Sequence, residues 1–161
     1  MAPLTVNRDT DYSQNDLLSI AVEGGVRIFT GSIVCLNPAG YAVPGSDIVG
    51  YVFAGIATAE ADNRLGGDGD IQVVVRRRGR FRFASQSHLI QAAVGACVYV
   101  VDDQTIEADA AQVTNDVMMG VLARILGALD CLIDIFFECR LYTAPTTTTA
   151  APTTSTTTAA P

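Results

Sequence analysis

The strongest constraint on the fold is a stretch that the chain uses twice. Residues 31–43 read Gly-Ser-Ile-Val-Cys-Leu-Asn-Pro-Ala-Gly-Tyr-Ala-Val, and residues 95–107 read Gly-Ala-Cys-Val-Tyr-Val-Val-Asp-Asp-Gln-Thr-Ile-Glu. Each opens on Gly and runs through an apolar segment with Val34 or Val98 at the same step. Each then turns, on Asn37-Pro38-Ala39-Gly40 or on Asp102-Asp103-Gln104, into a second short apolar run. The next segments of the two copies match in kind. Residues 49–57, ending Gly55-Ile56-Ala57, parallel residues 117–123, which contain Gly120-Val121-Leu122; residues 70–75 parallel 130–135. Two copies roughly sixty residues apart are a duplicated β unit and not a solenoid, which needs at least about three repeats.

The punctuation favours strands. Gly31, Asn37-Pro38, Gly40, Pro44-Gly45, Gly50 and Gly55 separate short apolar runs at close intervals, the pattern of an all-β sandwich or barrel. Pro38 and Pro44 fit poorly in a helix interior. Residues 117–128 have helical propensity, but Gly120 and Gly127 and the parallel with the first copy predict strands there. The expected architecture is all-β: a small barrel or sandwich built from a duplicated hairpin-plus-strand unit. An extended N-terminal arm (1–20) precedes the barrel-like domain (21–142), and a Thr/Ala/Pro-rich tail (143–161) completes the chain. Within this scheme 17–22 predicts a first strand, and residues 85–93, with the lone His88, a short helix or loop. The tail has no charge and no packing period, and its Pro and Thr content favours extended, polyproline-like chain.

Composition narrows the function. Of 161 residues only 17% are charged and 49% are hydrophobic; there is no Lys, so every basic side chain is Arg. So few charges suit a surface partly covered by other subunits, or simply reflect abundant Ala, Gly and Val. The net charge of −7 opposes wrapping a nucleic-acid backbone. The apolar run 117–137 is interrupted by Arg124, Asp130 and Asp134, which opposes a membrane span. The first residues carry no basic-then-apolar leader pattern. Cys35, Cys97, Cys131 and Cys139 show no Cys-x-x-Cys spacing and sit in apolar runs, so buried free thiols are expected.

Residues 71–84 read as one long strand, Ile-Gln-Val-Val-Val-Arg-Arg-Arg-Gly-Arg-Phe-Arg-Phe-Ala, with Gly79 as a candidate bulge. Period-2 alternation puts Arg76, Arg78, Arg80 and Arg82 on one face with Gln72 and Val74, and Ile71, Val73, Val75, Arg77, Gly79, Phe81 and Phe83 on the other. Guanidinium forks pair bidentately with carboxylates and phosphates, so such a row serves an acidic protein surface, the chain's own Asp and Glu, or nucleic acid. The overall charge and the lack of aromatics on that face place nucleic acid last. These four arginines are the candidate partner-binding residues. Residues 66–70, Gly-Gly-Asp-Gly-Asp, hint at calcium but read better as a flexible hairpin loop supplying positive φ. No phosphate-loop, dinucleotide, metal-spacing or nucleophile-base pattern is found, so neither enzymatic activity nor a cofactor or metal is expected.

The order of these segments resembles the small capsid decoration, or cement, proteins of tailed bacteriophages. The likeness rests on the Gly-x-x-Val strand starts, Val-Gly-Tyr-Val-Phe-Ala-Gly-Ile-Ala at 49–57, the Gly-Ala-Cys-Val-Tyr-Val-Val-Asp-Asp return at 95–103, Gly120-Val121-Leu122, and a closing Leu-Ile-Asp-Ile-Phe-Phe strand. It covers roughly 20–142 and does not extend to the arginine row or the tail. It implies a β-barrel virion protein, often a homotrimer, on the outer capsid surface. Such a protein cross-links neighbouring major capsid subunits and is made in the host cytoplasm. The alternative is a head-fibre or adhesin-type module that recognises host glycans from a flexible stalk, with Tyr41, Tyr51 and Tyr142 as candidate stacking residues. A third is a small enzyme assembled from scattered Asp residues.

Overall fold

The computed structural model describes residues 16–135. The tail, and the arm up to residue 15, lie outside the described residues, as do Cys139 and Tyr142. Within the described residues the protein is almost entirely β. The strands are β1 (Leu17–Ala21), β2 (Arg27–Ile28), β3 (Ile33–Leu36), β4 (Ala42–Pro44), β5 (Val52–Ala57), β6 (Ala61–Asp62), β7 (Gln72–Arg76), β8 (Arg80–Ser85), β9 (Cys97–Val100), β10 (Thr105–Glu107), β11 (Met118–Gly127) and β12 (Asp130–Asp134). Two single-turn 3₁₀ segments, Gln91–Ala93 and Ala110–Gln112, are the helical content. The first described strand, β1, starts at Leu17, within the span 1–20.

The duplication can be traced bond by bond, although its last strands correspond two residues out of the step read from 70–75 and 130–135, with Gln72 at the position of Asp130. One sheet runs β1-β7-β5-β3-β4; the other is a closed barrel, β10-β8-β12-β11-β9. Replacing β1, β3, β4, β5 and β7 by β8, β9, β10, β11 and β12 converts the first order into the second. Both copies close through a parallel contact, Val22 with Ala42 in the first and Ser85 with Ile106 in the second. The repeated glycines act alike. Gly31 (φ 83°) and Gly95 (φ 91°) both occupy the left-handed region, which glycine enters without penalty. Gly31 N–H donates to the Ala57 carbonyl, and Gly95 N–H donates to the Leu122 carbonyl, each at 2.8 Å. The hairpin turns repeat too: Asn37 N–H donates to Tyr41 O, and Val101 N–H to Thr105 O. Ile33 pairs with Ile56 and Val34 with Gly55; Cys97 pairs with Val121 and Val98 with Gly120. In both pairings the register then slips at one residue, Ala54 or Met119.

Matched positions fill matched interiors with different volumes. The first copy's core holds Val22, Val34, Ala42, Ala54, Ala57, Val73 and Val75, supplemented by Ile28 and Ala61 from the β2·β6 ribbon. The second places Ile106, Met119 and Leu122 at the positions of Ala42, Ala54 and Ala57. The other face of the first copy, through Ile33, Cys35, Val43, Phe53 and Ile56, belongs to the same buried cluster as the second copy's core. That shared core makes the two copies one body. Polar ties reinforce the seam: the Asp47 carboxylate accepts from Thr114 N–H (2.7 Å) and Asn115 N–H (2.9 Å), and Ile33 N–H donates to Asp103 O (2.7 Å).

Cys35 and Cys131 are free and buried, as expected of small apolar side chains. Cys97 is disulfide-bonded and departs from that expectation.

Candidate functional site

The single long strand expected over 71–84 is two strands. β7 ends at Arg76, Gly79 turns the chain at φ 128°, and β8 begins at Arg80 in the other barrel. A strand that closed one barrel cannot continue straight into a second, so the glycine marks a crossing and not a bulge. The alternation survives the break: Arg76, Arg78, Arg80 and Arg82 are all exposed, while Val73, Val75 and Phe83 are buried.

The break separates the fates of the four arginines. On the outer face of the second barrel, β8 and β12 run antiparallel with Arg80 opposite Asp134 and Ala84 opposite Asp130. Arg80 Nε donates to Asp134 Oδ2 at 3.1 Å. Arg82 grips Asp130 bidentately, Nε to Oδ1 at 2.9 Å and Nη2 to Oδ2. The Arg82 hydrogen bonds hold the Asp130 carboxyl below its ordinary range and push the Arg82 guanidinium up. Arg78 lies 3.7 Å from Asp16. Self-pairing therefore accounts for three members of the row.

Arg76 differs. Its position in β7 is that of Asp134 in β12, since Arg76 pairs with Ile56 as Asp134 pairs with Val121. Across from Asp134 stands Arg80; across from Arg76 stands Leu17. Where one copy has a cross-strand ion pair, the other has an arginine opposite a leucine. Arg76 has no ion pair among the described residues. It borders a groove of about 300 Å³ lined by Thr30, Gly31, Ile56, Ala57, Thr58, Arg76, Phe81, Arg82 and Phe83. The turn at Gly79 brings Phe81 and Phe83, expected on the face opposite the arginines, to the same groove as Arg76 and Arg82. Thr30 and Thr58 carry no sequence signal; they are recruited by the loops on either side of β3 and β5.

A second depression, on the β2·β6 ribbon, is lined by Asp62, Asn63, Arg64, Leu65, Gly66, Asp70 and Ile71. Its polar groups are occupied by the fold. Arg64 clamps Asp62, whose carboxyl falls to about 2 through that hydrogen bond. The buried Asn63 amide donates to the carbonyls of Val22, Glu23 and Gly67. Asp70 accepts from Gly67 N–H and Asp68 from Gly24 N–H. The Gly/Asp loop thus supplies a positive φ at Gly69 and is held down by its own carboxylates. Among the described residues no three His, Cys, Asp or Glu side chains are grouped to hold a metal ion.

Other acidic side chains also serve backbone. Asp102 accepts from Gln104 and Thr105 N–H, and Asp109 from Ala111 N–H. Glu107, at the position of Val43, is buried: its Oε1 accepts from Ala108 and Asp109 N–H, while Oε2 has no partner among the described residues. His88 is exposed in the loop after β8. Tyr41 lies against the Gly69 loop and Tyr51 packs on the shared core, and neither lines the two depressions described above; Tyr142 is outside the described residues.

No family model, curated protein or solved structure matches the chain.

Proposed function

We propose that this protein is a structural virion component of the cement type. It binds the outer capsid surface and bridges neighbouring major capsid subunits, itself assembled as a homo-oligomer, with a trimer favoured. The observation that carries this reading is the contrast between two equivalent outer faces. The second barrel's face is a ladder of self-neutralised charge, suited to water. The first copy's matching face presents Leu17, Ser19, Gln72 and Val74 with Arg76 as its one charge among the described residues, and Leu17 and Val74 are exposed. Exposed apolar side chains beside a guanidinium with no ion pair among the described residues suit a contact with another protein. Val49 and Val52 add exposed apolar surface elsewhere on the same copy. Closure of the second sheet into a barrel, and the Val22–Ala42 bridge between the ends of the first, leave few open strand edges among the described residues, which protects a protein held at high local density. Repetition over a symmetric shell converts weak contacts into stable attachment.

Co-sedimentation of the purified chain with capsids that lack it tests the reading. Saturable binding is expected, and its loss in the R76Q/R78Q/R80Q/R82Q variant. No binding by the unaltered chain overturns the capsid assignment; undiminished binding by the variant removes the arginine row from attachment.

A further inference from the structure

We infer that the groove between the barrels is a carboxylate-binding site centred on Arg76, which receives an acidic side chain from an extended or looped segment of a partner protein. The inference rests on the proposal that this face meets another protein, and it narrows the four arginines to one.

The internal duplication supplies the control. In the second barrel the register places Arg80 directly across from Asp134, and the two pair at 3.1 Å. In the first barrel the cation has moved to the other strand, Arg76 on β7, and its cross-strand neighbour is Leu17. The same geometry that makes an ion pair in one copy leaves a guanidinium with no carboxylate partner among the described residues in the other. Arg82 reaches the groove as well, but Asp130 already holds it bidentately along one edge. The groove floor is apolar, with Ile56 buried and Phe81 partly buried on the core. Thr58 Oγ1 is committed to Val74 O at 2.8 Å, so its hydroxyl oxygen retains acceptor capacity only. The chemistry that fits is therefore one carboxylate on a short aliphatic stem: the charge meets Arg76, and the stem lies on Ile56 and Phe81. A Glu side chain between apolar residues satisfies this. A phosphate is larger, more highly charged and lacks the stem.

The test uses the isotopically labelled full chain and the acetylated, amidated peptide Leu-Glu-Glu-Leu, with Leu-Gln-Gln-Leu, acetate and inorganic phosphate as controls. Saturable shifts of the Arg76 Nε–H and Ile56 methyl signals are expected with the Glu peptide, and none with the Gln peptide. R76Q weakens binding at least about tenfold, the scale of a charge-assisted hydrogen bond. L17E, which gives Arg76 a carboxylate of its own, does the same, whereas R80Q changes affinity by less than about twofold. Three results overturn the inference: no saturable shift with the Glu peptide, equal shifts with the Gln peptide, or acetate or phosphate binding as tightly as the Glu peptide. Because no capsid enters the measurement, peptide binding that survives while capsid co-sedimentation fails refutes the virion proposal alone. Capsid attachment that is indifferent to R76Q refutes the groove's role alone.

Discussion

The two barrels share a hydrogen-bond skeleton and differ in what they attach to it. Both turn on a left-handed glycine, both slip register at one residue beside β5 or β11, and both close by a parallel contact. Yet the first lines its interior with Ala42, Ala54 and Ala57 where the second has Ile106, Met119 and Leu122. The first also interrupts the path between β5 and β7 with β6 and the Asn63 loop, where the second runs straight from β11 through a tight turn into β12. Outside, one face has an ion ladder and the other has Arg76 with no ion pair among the described residues. Backbone geometry at the crossing points is therefore what the fold requires, whereas side-chain volume and surface charge are free to diverge. Function is to be sought in the divergent part.

The shared skeleton is the place where disruption is expected to be greatest. A Cβ on Gly120 would come within 2.4 Å of Asp134 O, and one on Gly55 within 2.7 Å of Arg76 O, the equivalent atom. Gly55 also sits at φ 150°. G120A and G55A are each expected to lower unfolding free energy by about 2–4 kcal/mol, from overpacking and backbone strain, in chemical denaturation. If one is neutral, the equivalence of the two crossings is broken.

Exchanging core volumes comes next. L122A installs the first copy's residue in the second and leaves a cavity, with an expected loss of about 2–5 kcal/mol. The reciprocal A57L overfills the first copy and is expected to lose about 1–3 kcal/mol. If both are tolerated, the interiors are not separately packed.

The surface pairs are expected to act weakly, and only in acid. Asp130, held down by Arg82, and Asp62, at about 2, have folded-state values below the ordinary carboxylate value of about 3.9. A depressed carboxyl contributes stability above its unfolded value and loses it as pH falls through the folded one. Denaturation midpoints should therefore be flat from pH 7 to about 5 and fall between about 4 and 2. Both carboxyls are open to solvent, so the effect is small and screened by salt. R64Q and R82Q together should flatten that decline.

Smallest of all is the expected thiol reactivity. Burial pushes both Cys35 and Cys131 up to about 11. At pH 8 neither should be alkylated by iodoacetamide without denaturant, since the thiolate is the nucleophile. Rapid labelling of either would show that its copy opens.

Much of the fold was legible because glycines and turns recur at matching steps in the two copies. Residues 31–43 and 95–107 align in space as they do in sequence, and 117–128 forms a strand as Gly120 and Gly127 indicated. The arginine row was legible as an exposed face, but its division was not. Period-2 alternation runs through Gly79 unbroken, so nothing local signals that β7 and β8 belong to different sheets. Which arginines are paired depends on Asp130 and Asp134, some fifty residues away, and on Leu17 standing where the second copy has Arg80. Thr30 and Thr58 enter the groove through loop geometry alone.

The central claim is that the chain is a repeated element of a viral shell. Its copy number relative to the major capsid protein, in purified particles from its source, tests this most directly. A ratio near one per capsid subunit is the expected result. Absence of the chain from the particles would contradict it.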